Sequence, residues 1–401
     1  MPSVVPVILD QNRLNVTEKV RSNIFNWRGQ FTPQFIEYLL DTYAVSTDLI
    51  FDPFCGSGTV LLESARKNIR SSGCEINPAA YAMAKFITLS NLQLGERQQI
   101  FNSVRARIEQ LVGSYYDLPL FEAQPSFRGR YKNLLEFAGG LFAQINNKRE
   151  MLLAVIVLFH AEVNGEDDLV PSVRRACKAV EAKLLTLPFS SSELSVDLCD
   201  ARLAHRRFNR MVDIIITSPP YINVFNYHQN YRAILEVLGF DLLKVAESEI
   251  GSNRKNRGNR FRTVVQYTLD MEQALASFAR SLKSKGLLVL VVGRESRVRG
   301  VPFSNSGILK KLAQGIHCYN QESENERVFT NRFGLRIKED ILVFRRTGQA
   351  PLEGNARGIA EKHLERAVSI ATGDVRNDIT EALAHLDDIE PSPLFDRKGI
   401  I

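Results

Sequence analysis

Two short segments of this 401-residue chain bring together residue types that can do chemistry. The first is Thr217-Ser218-Pro219-Pro220-Tyr221, a hydroxyl, two prolines and an aromatic ring in succession. Two prolines fix the backbone in an extended form and remove two amide donors, which leaves carbonyl acceptors to point into a cleft. A rigid, acceptor-rich loop with an aromatic lip suits a planar amino group. The second segment runs from Phe51 through Asp52, Pro53, Phe54, Cys55, Gly56, Ser57 and Gly58 to Thr59. Its two glycines let the backbone turn sharply and approach a ligand closely. No lysine follows Gly58, so the phosphate-cradling loop that binds nucleoside triphosphates is not matched. Glu75 comes 17 positions after Gly58, where a carboxylate can accept hydrogen bonds from ribose hydroxyls. Capping the helix that opens at Asn77-Pro78 is the other role open to it.

These segments need strands and helices to hold them. Asp48–Asp52 reads as a strand stopped by Pro53, followed by the glycine turn and a helix from Val60 to Asn68. A second strand, Ile69–Cys74, precedes a helix from Asn77 to about Leu92. This alternation is the first half of a doubly wound α/β nucleotide-binding sheet. Met211–Thr217 and Gly286–Gly293 are continuous apolar runs of the kind found in buried parallel strands, and Asp340–Arg345 is a shorter one. Between 100 and 190 apolar residues recur at helical spacing, which predicts a helical insertion packed on the sheet. The stretch Glu353–Asp388 also reads as helix, with Ile359, Leu364, Ala367 and Ile370 as one apolar stripe. The division expected is an α/β unit over 1–99 and 191–346, an insertion over 100–190, and an acidic helical tail over 347–401.

Taken together, the motifs resemble the amino-methyltransferases that use S-adenosylmethionine to methylate exocyclic nitrogens of nucleic-acid bases. The resemblance covers about 25–92 and 194–346. It implies a Rossmann-like methyltransferase sheet and S-adenosylmethionine as cofactor. It further implies that Asp52, Pro53, Phe54, Gly56, Gly58 and Thr59 form the cofactor turn, with Glu75 on the ribose and Asp200 near the adenine. Thr32 and Pro33 correspond to the segment that meets the methionine carboxylate. Ser218, Pro219, Pro220 and Tyr221 become the catalytic loop, and a loop beginning with Ser is most typical of the cytosine-N4 DNA branch, whereas adenine-N6 enzymes more often begin it with Asp or Asn. The motif order is unpermuted, but the helical insertion departs from the family pattern and becomes a possible target-recognition element. A floor poor in carboxylates is expected beneath the sulfonium. No Pro-Cys dipeptide occurs, which disfavours carbon-5 methylation, since that needs a thiolate. Adenine-N6 DNA methylation, guanine-N2 RNA methylation and a non-catalytic DNA-binding subunit are the alternative readings. The partners implied are double-stranded DNA and a cognate restriction endonuclease or other defence partner.

Charge points the same way. The chain carries 51 basic and 45 acidic residues, and the excess lies in 1–346, because the stretch beyond Arg346 holds 6 basic against 10 acidic. A basic body suits a polyanionic partner. Arg254, Lys255, Arg257, Arg260 and Arg262 form a run with no acidic residue and are the expected nucleic-acid contacts. Arg294, Arg297 and Arg299 add charge after a strand, and Arg128, Arg130 and Lys132 are weaker candidates. Five cysteines without a Cys-x-x-Cys pair argue against a disulfide framework and against structural zinc. The histidines do not cluster, His160 reads as a core or interface residue, and no metal is expected. Nothing resembles a signal peptide or an 18-residue apolar span, so a reducing cytoplasm is the expected setting.

Overall fold

In the computed structural model, residues 7–16, 20–116, 127–163, 168–222, 230–252, 256, 258–330 and 334–395 are described. The strands are β1 (Leu49–Asp52), β2 (Arg70–Glu75), β3 (Leu194–Leu198), β4 (Val212–Thr217), β5 (Leu282–Gly293), β6 (Glu295–Val298), β7 (Val301–Ser304), β8 (Tyr319–Thr330) and β9 (Arg336–Arg346). Seven of them form one sheet in the order β3-β2-β1-β4-β5-β9-β8. The first five are parallel, and β9 runs antiparallel to both β5 and β8. The strands β4 and β5 read as unbroken apolar runs because both faces are covered. Ile214, Ile216, Val289 and Val291 face one apolar cluster, while Ile215, Leu288 and Leu290 face another. Chain order reverses between β1 and β4, and the crevice beyond the carboxyl ends at such a switch point is where open α/β sheets bind ligands. The result is a Rossmann-like fold with an antiparallel strand pair at one edge.

The helices are α1 (Gln11–Leu14), α2 (Pro33–Tyr43), α3 (Thr59–Arg66), α4 (Pro78–Ile87), α5 (Leu94–Tyr116), α6 (Phe127–Ala143), α7 (Lys148–Val163) and α8 (Leu169–Thr186). They continue with α9 (His205–Phe208), α10 (Arg232–Val237), α11 (Leu242–Ser248), α12 (Arg262–Ser281), α13 (Asn305–Gly315), α14 (Ala356–Ile370) and α15 (Gly373–Ala384). The insertion comprises α5–α8 and begins a few residues before 100. Leu152–Phe159 of α7 are buried all round, as expected of a helix enclosed by neighbours. The buried Arg97 clips the two ends of the insertion together. It donates to the carbonyls of Ser90 and Leu92 on entry and of Leu184, Leu187 and Pro188 on exit.

Three expectations need correction. The apolar stripe of α14 is Ala356, Ala360, Leu364 and Ala367, whereas Ile370 is exposed. Those residues sit in the same cluster as α12, so this tail is part of the α/β body. Strand β8 has no counterpart in the sequence reading, since Tyr319–Thr330 is mostly polar, and β9 starts at Arg336 instead of Asp340. Cys74 and Cys199 form a disulfide with Cα atoms 5.6 Å apart. Parallel pairing of β2 with β3 sets the two strand ends side by side, a proximity that sequence spacing does not contain. Among the described residues no helix is long and apolar enough to cross a membrane, and no three His, Cys, Asp or Glu side chains group as metal ligands.

Candidate active site

A cavity of about 470 Å³ opens at the switch point, lined by segments that follow β1, β2 and β4. The glycine turn enters it directly from β1. Gly56 and Gly58 both have positive φ, +51° and +88°, a region that costs any residue with a Cβ. Gly58 is constrained by space as well, because a Cβ there would lie 3.0 Å from Ala84 Cα. It sits behind the turn and lets α3 pack on α4. Glu75, at the end of β2, clamps the same turn. One carboxylate oxygen accepts from the Gly56 amide at 2.8 Å and the other from the Asn77 amide at 2.8 Å. Asn77 in turn caps α4 by accepting from Ala79 and Ala80. Glu75 therefore faces the cavity and also braces the helix start. Burial pushes its carboxyl up to about 7.

The Thr217–Tyr221 loop forms the facing wall. Thr217 donates to Asp52 at 2.6 Å across the β1/β4 boundary, and Asp52 also accepts from the Phe54 amide. One carboxylate thus ties the glycine turn to the proline loop. Burial raises Asp52 to about 7 as well. The Ser218 hydroxyl lies 3.4 Å from the Tyr221 hydroxyl, so the two polar groups of the loop meet. Beyond the loop, Asn305 at the start of α13 accepts from the Ile222 amide and donates to the Gly293 carbonyl and the Ser296 hydroxyl. Asn305 is buried and holds the loop to the end of β5, a function that nothing in its sequence context signals. Gly293 supplies the seat for the ring, since a Cβ there would lie 2.7 Å from Tyr221 Cε2. Gly293→Ala is expected to swing Tyr221 out of this position. A loss of at least tenfold in turnover, with the melting temperature little changed, is the expected result, on the scale by which a small misplacement harms positioned groups.

The other expected site residues divide. Pro53, Phe54, Thr59, Pro219 and Pro220 line the cavity, and so does Asp200. Thr32 and Pro33 start α2 and do not line it. Their neighbours from Trp27 to Phe31 do, and Gln30 accepts from the Ser57 hydroxyl at 2.8 Å. Asp200 is committed to Arg202, whose guanidinium donates to both of its oxygens. The floor is not poor in carboxylates. Asp52, Glu75, Asp200, Glu249 and Glu339 line the cavity against Arg28 and Arg297. The elevated values of Asp52 and Glu75 soften that charge near neutrality.

Of the basic run, Arg254, Lys255 and Arg257 lie outside the described residues, as do the side chains of Arg128, Arg130 and Lys132. Arg260 is exposed. Arg262 pairs with Glu381 of α15, Arg299 with Asp378, and Arg294 with Asp340 and Glu326. Much of the expected interface charge therefore serves internal pairing, and Arg297, which pairs with Glu295, also lines the cavity. His160 is half-buried at the edge of the apolar cluster around α7. It stacks on Phe25 at 6.3 Å, and burial lowers its pKa to about 4.

Residues 7–86 match the DNA methylase family of the N6/N4 type. The chain is 39% identical to the type II methyltransferase M.MjaII of Methanocaldococcus jannaschii over a 441-residue alignment spanning 81% of this chain and 82% of that one. Among solved structures it is similar to the PH0226 protein of Pyrococcus horikoshii, with 11% identity, 82% and 96% of the two chains covered and a TM-score of 0.35. It is also similar to TrmN of Thermus thermophilus, with 14% identity and a TM-score of 0.34, covering 80% of this chain but only half of that one. The cavity fits a sulfonium cofactor on its own chemistry. It offers a glycine turn with two positive-φ positions, a carboxylate at the end of β2 and an excess of acidic over basic lining residues. The relationship to the Methanocaldococcus enzyme and these residues place the chain in the N6/N4 DNA methylase family, with S-adenosylmethionine as its cofactor.

Proposed function

We propose that this protein is a site-specific DNA methyltransferase acting on the exocyclic N4 of cytosine in double-stranded DNA, as the modification partner of a restriction or defence system. The observation that carries this reading is the Ser218-Pro219-Pro220-Tyr221 loop, which begins with serine and faces the glycine turn across one cavity. Bound S-adenosylmethionine supplies an electrophilic methyl group. The protein's task is to make a poor nucleophile competent, because the amino lone pair of the base is delocalised into its ring. The Ser218 hydroxyl and the Pro219 carbonyl accept hydrogen bonds from the two amino hydrogens, and one of these protons is lost to solvent once the nitrogen carries the methyl. That biases the nitrogen toward tetrahedral geometry and turns its lone pair toward the methyl. With the amino group held in this way, the loop would contribute orientation toward the methyl donor that the facing glycine turn and Glu75 would hold. A base within a duplex cannot reach this loop, so it is extruded and stacks on Tyr221, whose ring is seated on Gly293. Asp52 lines the same cavity and keeps the two loops in register through Thr217.

The deciding experiment is digestion of DNA treated with the enzyme and cofactor, followed by identification of the modified nucleoside by mass. N4-methylcytosine is the expected product, and N6-methyladenine would overturn the choice of target. DNA binding is expected to weaken with salt. Arg260→Ala is expected to shallow the slope of log K against log salt by about 0.9 if that side chain meets one phosphate. Arg262→Ala is expected to lower stability more than it changes the slope, because its guanidinium is held by Glu381. Equal slopes for wild type and Arg260→Ala would remove Arg260 from the interface.

A further inference from the structure

The wall of the cofactor cavity contains a fully buried cluster of charges. Arg202 has a side-chain exposure of 0% and pairs with Asp200 at 2.6 Å and Asp270 at 3.0 Å, both also buried. Two carboxylates against one guanidinium leave an excess negative charge that burial makes costly unless further donors reach it. The donors come from the segment Ile389–Phe395, far along the chain and past α15. Ser392 gives Asp270 its amide at 2.8 Å and its hydroxyl at 2.6 Å. Phe395 gives its amide to Asp200 at 3.2 Å. In return Arg202 donates to the carbonyls of Ser392 at 2.7 Å and Pro393 at 2.8 Å. The strap is suited to such reading, since Pro391 and Pro393 hold it extended. Its two ends, Ile389 and Phe395, are buried in different apolar clusters.

The same guanidinium lies behind the cavity wall. Asp200 lines the cavity, and so does Ser248, whose carbonyl accepts from Arg202 at 3.3 Å. Arg202 thus joins two separate segments of the cavity wall, and the strap supplies two of the carbonyls that hold Arg202 and donors to both of its carboxylate partners. We infer that Ile389–Phe395 is a positioning element for S-adenosylmethionine, so that docking of the strap and occupancy of the cavity are coupled through Arg202. This rests on the cavity being the cofactor site. Coupling of this kind is reciprocal: what the strap does for cofactor affinity, the cofactor must do for the strap. Positioning residues in this sense are Ser392, Asp270 and Arg202, none of which needs to touch the reacting atoms.

Both directions can be measured on the full chain. Trp27 is the sole tryptophan and lines the cavity, so its fluorescence reports S-adenosylmethionine binding. Ser392→Ala removes the hydroxyl donor to Asp270 and is expected to raise the Kd for S-adenosylmethionine roughly tenfold. The single-turnover rate at saturating cofactor should stay near that of wild type. Ser392→Thr keeps the hydroxyl and should restore the affinity. In the wild type, saturating cofactor should slow hydrogen exchange at the amides of Ser392 and Phe395 by about tenfold, the same factor read from the other side. Exchange that ignores the cofactor, or a lowered melting temperature with unchanged Kd, would reduce the strap to packing and overturn the inference. If Ser392→Ala fails to fold, the exchange measurement on the wild type decides alone. Failure of the wild type to bind S-adenosylmethionine would bring down the cavity assignment first, and the coupling with it.

Discussion

Ser218→Ala is expected to leave cofactor and DNA bound while methyl transfer slows by about 10²–10³, the scale seen when one oriented polar group is lost from a transition state. The substitution removes one acceptor for the target amino group. Both prolines stay, so the loop retains its backbone, and its anchors do not involve the serine. Thr217 remains on Asp52 and the Ile222 amide remains on Asn305. Within the loop, the 3.4 Å approach of the serine to the Tyr221 hydroxyl disappears. Tyr221→Phe is the control, since it abolishes the same approach but keeps the ring. Tyr221→Ala should behave differently and impair binding as well as rate, because base stacking on an aromatic ring contributes about 1–3 kcal/mol. Single-turnover transfer from labelled cofactor, with DNA affinity measured separately, distinguishes the three variants. Near wild-type transfer by Ser218→Ala would mean that this loop is not catalytic, and the proposed reaction would fall.

Glu75→Ala is expected to weaken cofactor binding by about one to two orders of magnitude, as charge-assisted hydrogen bonds of roughly 1.5–3 kcal/mol are lost. The effect combines two losses. The acceptor proposed for the ribose goes, and the amides of Gly56 and Asn77 lose the oxygens they donate to at 2.8 Å. The pH dependence gives an independent check. Burial raises the Glu75 carboxyl to about 7, and the ionised form is the better acceptor for ribose hydroxyls. Cofactor affinity should therefore fall as the pH drops from 8 to 6. Glu75→Gln should bind weakly but with a flatter pH profile. Stability of the free protein should move the other way. A carboxyl whose folded-state pKa is raised holds its proton when the unfolded chain has released it, so this group costs stability as pH rises from about 4.5 through 7. Asp52, also at about 7, contributes with the same sign. A cofactor affinity that does not change between pH 6 and 8 would show that Glu75 does not meet the cofactor in its ionised form.

Residue order alone is enough for the local chemistry and for the strands that carry it. The glycine turn and the proline loop are runs of consecutive residues, and their backbone demands follow from residue type. The strands β1, β4 and β5 are legible because a strand buried on both faces must be a continuous apolar run. Helices α5–α8 are legible from helical spacing, although α5 starts at Leu94. Which polar groups meet across long separations is not written there. Strand β8 has a polar sequence and exists because β9 pairs along its length. Cys199 finds Cys74 across 125 residues, and Asn305 reaches the proline loop from the start of α13. The run ending at Arg262 reads as free positive charge, yet the fold places Glu381 beside that arginine. The stretch after Arg346 reads as an appended acidic tail, yet its last described residues complete the charge cluster behind the cavity at the switch point. Periodicity and turn chemistry act between near neighbours and are written in the local sequence. Partner choice for buried charges is settled only when the sheet order and helix packing bring distant segments together.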